Sequence, residues 1–292
     1  MSMTKKKEMK KIVLGSVMAV AATTMIFIGA SQTVKAFEIG KTQVVETSYN
    51  MLANGSTNGH VPVGYEKHDY EVKFVGKDQP SVNDMKKEEA AELASQKLWE
   101  VLRVNLSGQT LEMSYMPASK VQQRATWEAS VKVHDNLSYD FILDAVTGES
   151  HWIGKSVYHK KDIPVGFDKN LLKNNEEYQD IVKGLVEEHR LLLNKLTAVD
   201  YISQGYDTNE IGNKNPNITF EVTSENGEKV QLTISTYNKE LLSVGYDRWL
   251  KEAERFEHQL KEELNEDTSI ITITDQLIKE VEETGLPITI IE

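Results

Sequence analysis

Histidines and carboxylates are the residues of this chain best suited to chemistry, so their spacing decides which kinds of site are available. His258 and Glu262 lie four residues apart in a helical pattern and could share a metal ion, but two ligands do not complete a site. His151, His159 and Asp162 could act together as zinc ligands, and the simpler interpretation is a surface loop. We therefore predict neither a metal site nor a cofactor.

The sequence contains no known catalytic signature. Residues 148–156 read G-E-S-H-W-I-G-K-S, which places five residues between the glycines where a phosphate-binding loop needs four. A chain without cysteine has no thiol nucleophile, thiolate zinc site or disulfide. Among 45 Asp and Glu residues some pairs fall close together by chance, so acid–base pairs cannot be selected. We predict a protein that is not an enzyme; a cell-wall hydrolase with unidentified carboxylates is the alternative.

Tryptophan side chains could stack on a ligand or a partner. Trp127 occupies an inward position of an alternating strand pattern, and Trp249 lies in the apolar stripe of a helical pattern. Both are therefore predicted to lie in the core. Trp152 and its neighbour His151 follow a Thr-Gly turn and are the predicted partner-contact residues.

The N-terminus has the layout of an export signal. A lysine-rich start precedes an uncharged run from Ile12 to Ala30, and a V-x-A triplet ends at Ala36. We predict cleavage between Ala36 and Phe37, and a secreted or extracytoplasmic protein of the cell envelope. An uncleaved membrane anchor is the alternative, in which case the membrane is contacted only through this segment. An exported chain without cysteine is typical of a Gram-positive bacterium.

The charge of the chain argues against one class of partner. The formal net charge is −12, and residues 1–36 hold six lysines against one glutamate, so the remainder is still more acidic. A surface of this sign repels a phosphate backbone, so nucleic acid is not an expected partner.

Hydrophobic periodicity predicts helices followed by antiparallel strands. Ala90, Ala94 and Leu98 form one helical stripe, and alternating segments follow around Met113, Trp127 and Phe141. Adding 91 to these positions reproduces the pattern later in the chain without gaps. The predicted fold class is α+β, with tandem units of one helix packed on an antiparallel β-meander. The predicted divisions are a signal peptide (1–36), an extension with one strand (37–80), two units (81–155 and 170–246) and a C-terminal helix and strand segment (247–292).

The first unit resembles the PepSY domain, a small α+β module of exported bacterial proteins and protease propeptides. The resemblance rests on the acidic, alanine-rich helix start K-E-E-A-A-E-L-A from Lys87, the strand W-E-A-S-V-K-V from Trp127, and the closing L-D-A-V-T-G-E from Leu143. The second unit departs from this ending, because Ser235 and Lys239 stand at the places of Asp144 and Gly148, and its membership rests on layout alone.

The resemblance implies a binding or inhibitory module, often one that acts on peptidases. We accordingly expect a non-enzymatic protein that binds, and inhibits or regulates, an extracellular peptidase or another envelope protein. Inhibition could use an extended edge strand that enters the protease cleft. A structural envelope or spore-associated protein is a further alternative.

Overall fold

Nine strands and three helices make up the described part of the chain. The computed structural model describes residues 61–119 and 122–266, without the side chains at 257 and 259–266. The strands are β1 (Glu71–Phe74), β2 (Thr110–Met116), β3 (Thr126–His134), β4 (Leu137–Asp144), β5 (Ser150–Val157), β6 (Leu196–Thr208), β7 (Lys214–Ser224), β8 (Lys229–Ser235) and β9 (Leu241–Tyr246). The helices are α1 (Lys87–Leu102), α2 (Glu176–Glu188) and α3 (Asp247–Glu266). The predicted signal peptide and its cleavage site between Ala36 and Phe37 lie outside the described residues.

The chain divides into two compact units after Leu250. The first contains the whole sheet together with α1 and α2. The second begins at Lys251, and its described part consists of the helical residues 251–266. Within the described residues, none of the helices combines the length and the apolar character that crossing a bilayer requires.

One continuous mixed sheet replaces the predicted tandem units. The strand order is β1-β2-β3-β4-β5-β9-β8-β7-β6, and all neighbours are antiparallel except β1 and β2, which are parallel. The predicted α+β fold, in which each helix packs on its own antiparallel meander, is therefore wrong.

The error lies at the junction of β5 and β9. These strands pair at Trp152–Gly245, Ile153–Val244 and Gly154–Ser243. Two separate meanders would leave both strands with unpaired amides and carbonyls, and their pairing removes these two edges. Local periodicity shows which face of a strand is buried but not which strand lies beside it, so the sequence pattern did not predict this junction.

Helices α1 and α2 contribute to a single hydrophobic cluster on one face of the sheet. Ala94 and Leu98 of α1 and Val182 and Val186 of α2 belong to this cluster. The fully buried strand residues that join them include Met113, Trp127, Phe141, Ile153, Phe220, Leu232 and Val244. Alternation along each strand places these side chains on the same face, which the register of the pairs confirms.

The first half of the buried stripe of α1 is made of small residues. Ala90, Ala91 and Ala94 are completely buried, and the larger Leu98 and Val101 continue the stripe in the second half of the helix. Glu88 and Glu89 lie in the first turn, where a negative charge is favoured by the helix dipole. The helix ends at Leu102, and the C-cap residue Arg103 has a left-handed φ of 55°.

The other face of the sheet is polar. Most alternate strand residues on it are charged or hydroxylated, and they include Ser114, Glu128, Ser130, Asp140, Thr219, Thr233 and Ser243. The buried Ile142 lies among them. We call this surface the polar face. Trp152 of β5 is the large aromatic side chain at its centre, where β5 meets β9.

Candidate functional site

The open edge of the sheet at β6 is the first candidate site. β6 has 13 residues, spans roughly 40 Å, and pairs only with β7 among the described strands. An edge strand presents main-chain amides and carbonyls that can pair with another extended chain. β6 contains neither lysine nor proline, two residues that commonly protect such edges.

The opposite edge of the sheet is better protected. β1 has only four residues, and Lys73 within it forms a salt bridge of 2.7 Å with Glu112 of the neighbouring β2. A short, charged edge offers few main-chain groups to a partner. The two edges therefore differ in their capacity to bind an extended chain, and β6 is the better template.

Exposed apolar side chains accompany β6. Ile202 and Tyr206 on the strand are 37% and 51% exposed. The Gln204 side chain accepts a hydrogen bond from the Asp168 amide and donates one to its carbonyl, at 3.1 and 3.0 Å. These two bonds hold the loop before α2 beside β6, and with it Phe167, which is 55% exposed. Large exposed apolar groups around an open edge are typical of a protein interface.

Two β-bulges limit the regular part of this edge. The register with β7 shifts between Leu196 and Ala198 and again between Tyr201 and Ser203. From Ser203 to Thr208 the pairing is regular. This six-residue segment is the longest part of β6 that pairs with β7 without a register shift. A partner strand could extend the sheet along it.

The polar face at Trp152 is the second candidate site. A Cβ built on Gly154 would lie 2.8 Å from the Trp152 Nε1, and one built on Gly245 would lie 3.4 Å from its Cε3. The indole thus lies over the backbone of two glycines, and Trp249 borders Gly245 as well. Only glycine at 154 leaves enough space for the ring in this position.

Two carboxylates lie on the same face of the sheet, Asp140 one strand and Glu128 two strands away from Trp152. Asp140 is the cross-strand partner of Gly154, and Glu128 is the cross-strand partner of Ile142, which itself pairs with Trp152. Burial raises the pKa of Asp140 to about 6 although Ser130 hydrogen-bonds its carboxyl. Burial also raises the pKa of Glu128, with a smaller contribution from the charge of Asp140.

The predicted contact residue His151 lies in the interior. Its side chain is fully buried, and neither ring nitrogen has a hydrogen-bond partner. Burial lowers the pKa of His151 to about 4, opposed by the charge of Asp144 and assisted by those of Arg248 and Arg124. Of the two predicted partner contacts, only Trp152 is therefore accessible, and it is partly exposed.

A buried ion-pair cluster surrounds His151. Asp144 is completely buried, forms a salt bridge of 2.8 Å with Arg124, and accepts hydrogen bonds from the amides of Val146 and Thr147. Glu149 forms a salt bridge of 3.1 Å with Arg248 at the start of α3. The Asp144 carboxylate thus stabilises the β4–β5 turn.

The β8–β9 turn repeats this arrangement with uncharged groups. The Ser235 hydroxyl accepts the same kind of turn hydrogen bond, from the Tyr237 amide, and donates to the side-chain Oδ1 of Asn215 at 2.6 Å. Lys239, with φ 62°, stands 91 residues after Gly148, with φ 71°. The 91-residue offset between the two halves of the chain therefore also relates the hydrogen bonds and backbone conformations of these two turns.

A serine–histidine pair elsewhere has no catalytic geometry. His68 Nδ1 lies 3.0 Å from the Ser95 hydroxyl and 3.2 Å from the amide of Leu106. Ser95 is completely buried on α1 and also receives a hydrogen bond from Tyr65, so substrate cannot reach its hydroxyl. These hydrogen bonds hold residues 65–68 against α1.

Among the described side chains, the residues considered as metal ligands do not form a metal site. His159 stacks against Tyr237 at 4.4 Å between ring centroids, His151 is enclosed as described, and Asp162 is exposed. The Glu262 side chain, considered with His258, lies outside the described residues. Among the side chains that the structure describes, no group of three or more histidine or acidic residues is arranged to hold a metal ion.

The residues that make these two sites were not predicted as sites. The offset of 91 carries the alternating segment around Met113 into β6, but the edge position of this strand was not predicted, and Asp140 was not singled out from the other carboxylates. The alternation of Val199 and Tyr201 signals a strand, but only the sheet order shows that this strand is at the edge. Gly154, two residues after Trp152 in the same strand, could have indicated that the Trp152 ring lies against the backbone there.

Comparison of the chain with protein-family models, with curated proteins and with solved structures gives no match. The PepSY resemblance thus stays a prediction from the quoted residues.

Proposed function

We propose that this chain is a non-enzymatic, extracytoplasmic binding protein that pairs its β6 edge with an extended segment of a partner protein. The observation that carries the proposal is the long, open β6 edge without lysine or proline and with Ile202 and Tyr206 exposed on it. Main-chain hydrogen bonds along the edge supply affinity, and the exposed side chains select the partner.

The partner we propose is a peptidase of the cell envelope or the external medium. A peptidase cleft binds its substrates as extended strands, so it can accept β6 in the same way. The export-signal layout and the resemblance to PepSY support this choice of partner. Binding of this kind blocks the cleft without any catalytic residue in this chain.

The test is hydrogen exchange of the full chain in complex with a captured extracytoplasmic peptidase. We expect amide protection concentrated between Ser203 and Thr208, together with inhibition of the peptidase at stoichiometric amounts. Tyr206→Lys places a charge on the edge and should weaken binding about tenfold or more, as charged edges oppose strand pairing.

The matched control is Val82→Lys, because Val82 is an exposed apolar residue outside the strands. This variant should bind like the wild type. Protection of another region, or equal weakening by both variants, would overturn the β6 assignment. Failure of every peptidase to bind would overturn the choice of partner.

A hydrolase of cell-wall polymer is the second candidate, and one observation favours it. Asp140, with its pKa raised to about 6, lies near Glu128 on the polar face, and a protonated carboxyl beside a second carboxyl can act as an acid–base pair. Release of soluble fragments from purified wall polymer, lost in Asp140→Asn, would support this function. Equal release by wild type and variant would exclude Asp140 as the acid.

A further inference from the structure

The indole of Trp152 is held as a flat platform at the centre of the polar face. Gly154 and Gly245 lie beneath it, and its Nε1 end is directed over Gly154. The cross-strand neighbour of Gly154 is Asp140, and directly opposed residues have Cβ positions about 5 Å apart. The nitrogen end of the indole and Asp140 therefore occupy neighbouring positions on the polar face.

Among the described residues, the carboxylates near this platform differ from other acids of the same face in the partners they have. Other acids of the same face have cationic partners: Glu112 forms a salt bridge with Lys73, and Glu221 forms one of 2.9 Å with Lys229. The hydrogen-bond partners of Glu128 and Asp140 are the hydroxyls of Ser114 and Ser130, which carry no charge. These two partly buried carboxylates repel each other, and a bound cation would relieve the repulsion.

We propose that the surface formed by Trp152, Asp140 and Glu128 binds lysine or arginine side chains of a basic segment in a partner protein. The two carboxylates pair with the ammonium or guanidinium group, and the indole face attracts the same charge and covers the aliphatic stem. This site goes beyond the proposed strand pairing at β6 and does not depend on it.

An organic cation fits this surface better than the other ligands of an aromatic platform. The described residues contain no group of three or more histidine or acidic side chains arranged for a metal ion. A neutral sugar would stack on the indole, but it would leave the mutual repulsion of Asp140 and Glu128 unchanged. Charge complementarity therefore selects a basic segment.

The experiment is a titration of the full chain with N-acetylated tetralysine amide, followed by calorimetry and by NMR of the Trp152 indole Nε1–H. The matched probe is the same peptide with every lysine side chain acetylated, which keeps the backbone and removes the charge. We expect binding of the first peptide only, a shift of the Trp152 signal, and an affinity that declines as the pH falls below about 6, where Asp140 becomes protonated.

Three variants make the test specific. Asp140→Asn and Trp152→Phe should each weaken tetralysine binding about tenfold, because each removes one attractive group from a partly desolvated site. Asp180→Asn is the control, since it removes the same charge from an exposed residue of α2 and should leave the affinity unchanged.

Some results would overturn the proposal. These are equal weakening by Asp140→Asn and Asp180→Asn, equal binding of both peptides, or no binding at all. Binding of chitotetraose at the Trp152 signal without binding of tetralysine would assign the platform to a glycan instead. Tyr206→Lys tests only the proposed strand pairing at β6. Refutation of that proposal can therefore be distinguished from refutation of the basic-segment site.

Discussion

Replacement of His151 by leucine should change how the stability of this protein depends on pH. His151 is fully buried and neutral, and its pKa lies at about 4 against an ordinary 6.5. The folded state therefore binds fewer protons than the unfolded state between these values. Above pH 6.5 His151 is neutral in both states and the stability of the folded state does not depend on its titration. As the pH falls from 6.5 toward 4, only the unfolded state binds the proton, so the folded state loses stability.

Asp140 acts in the opposite direction over the same range. Its pKa is about 6 against an ordinary 3.8, so the folded state binds more protons and gains stability as the pH falls through 6. One pKa unit corresponds to about 1.4 kcal/mol. Between pH 7 and pH 5, linkage gives a loss of about 2 kcal/mol from His151 and a gain of about 1 kcal/mol from Asp140.

The assay is urea unfolding of the full chain at pH 7, 6 and 5. The stability of His151→Leu relative to the wild type should increase by about 2 kcal/mol from pH 7 to pH 5. Asp140→Asn should show the reverse, with about 1 kcal/mol of relative loss over the same interval. Glu128 and Glu149 titrate in all of these proteins, so the difference from wild type is the quantity to compare.

At pH 7 itself, His151→Leu should be neutral or stabilising, because it removes two ring nitrogens that have no hydrogen-bond partner. Parallel stability curves for His151→Leu and the wild type from pH 7 to pH 5 would refute the reasoning. Such a result would mean that the imidazole is not a buried neutral group.

Three further predictions concern other positions. Asp144→Asn should lower the free energy of unfolding by about 3 kcal/mol, measured in urea at pH 7, because Arg124 loses its buried partner; a loss below about 1 kcal/mol would contradict this. Gly154→Ala should displace the Trp152 indole, since the new Cβ would lie 2.8 Å from its Nε1, and should shift its indole NMR signal; an unchanged signal would argue against the described ring position. Lys239→Gly should raise the melting temperature, with a gain of about 0.5–1 kcal/mol, because φ is 62° at this residue; a lower melting temperature would contradict this reading.

Local elements of this fold were predictable because they depend on short-range periodicity. The buried stripe of α1 at Ala90, Ala94 and Leu98 and the alternation around Trp127 are both present in the structure. The pairing of β5 with β9 was not predictable, because it joins residues about 90 positions apart and neither strand carries a signal for the other.

The candidate sites were only partly predictable for the same reason. Trp152 was selected from its position after a turn, and the structure leaves it partly exposed. His151, its immediate neighbour, was selected with it, but a β-bulge between β4 and β5 lies at this point and the imidazole is enclosed. The role of Asp140 depends on strand register, which the order of residues in the chain does not reveal.

The strand order has a consequence for the order of folding. β9, the last described strand in the chain, lies in the interior of the sheet, between β5 and β8. A chain emerging from its N-terminus can form β1 to β5, but the two halves join only after Tyr246 is available. This raises the contact order, and the search for the central pairing should limit the folding rate. Until β9 inserts, β5 is an open edge, so the nascent chain is most prone to intermolecular pairing just before its sheet is complete.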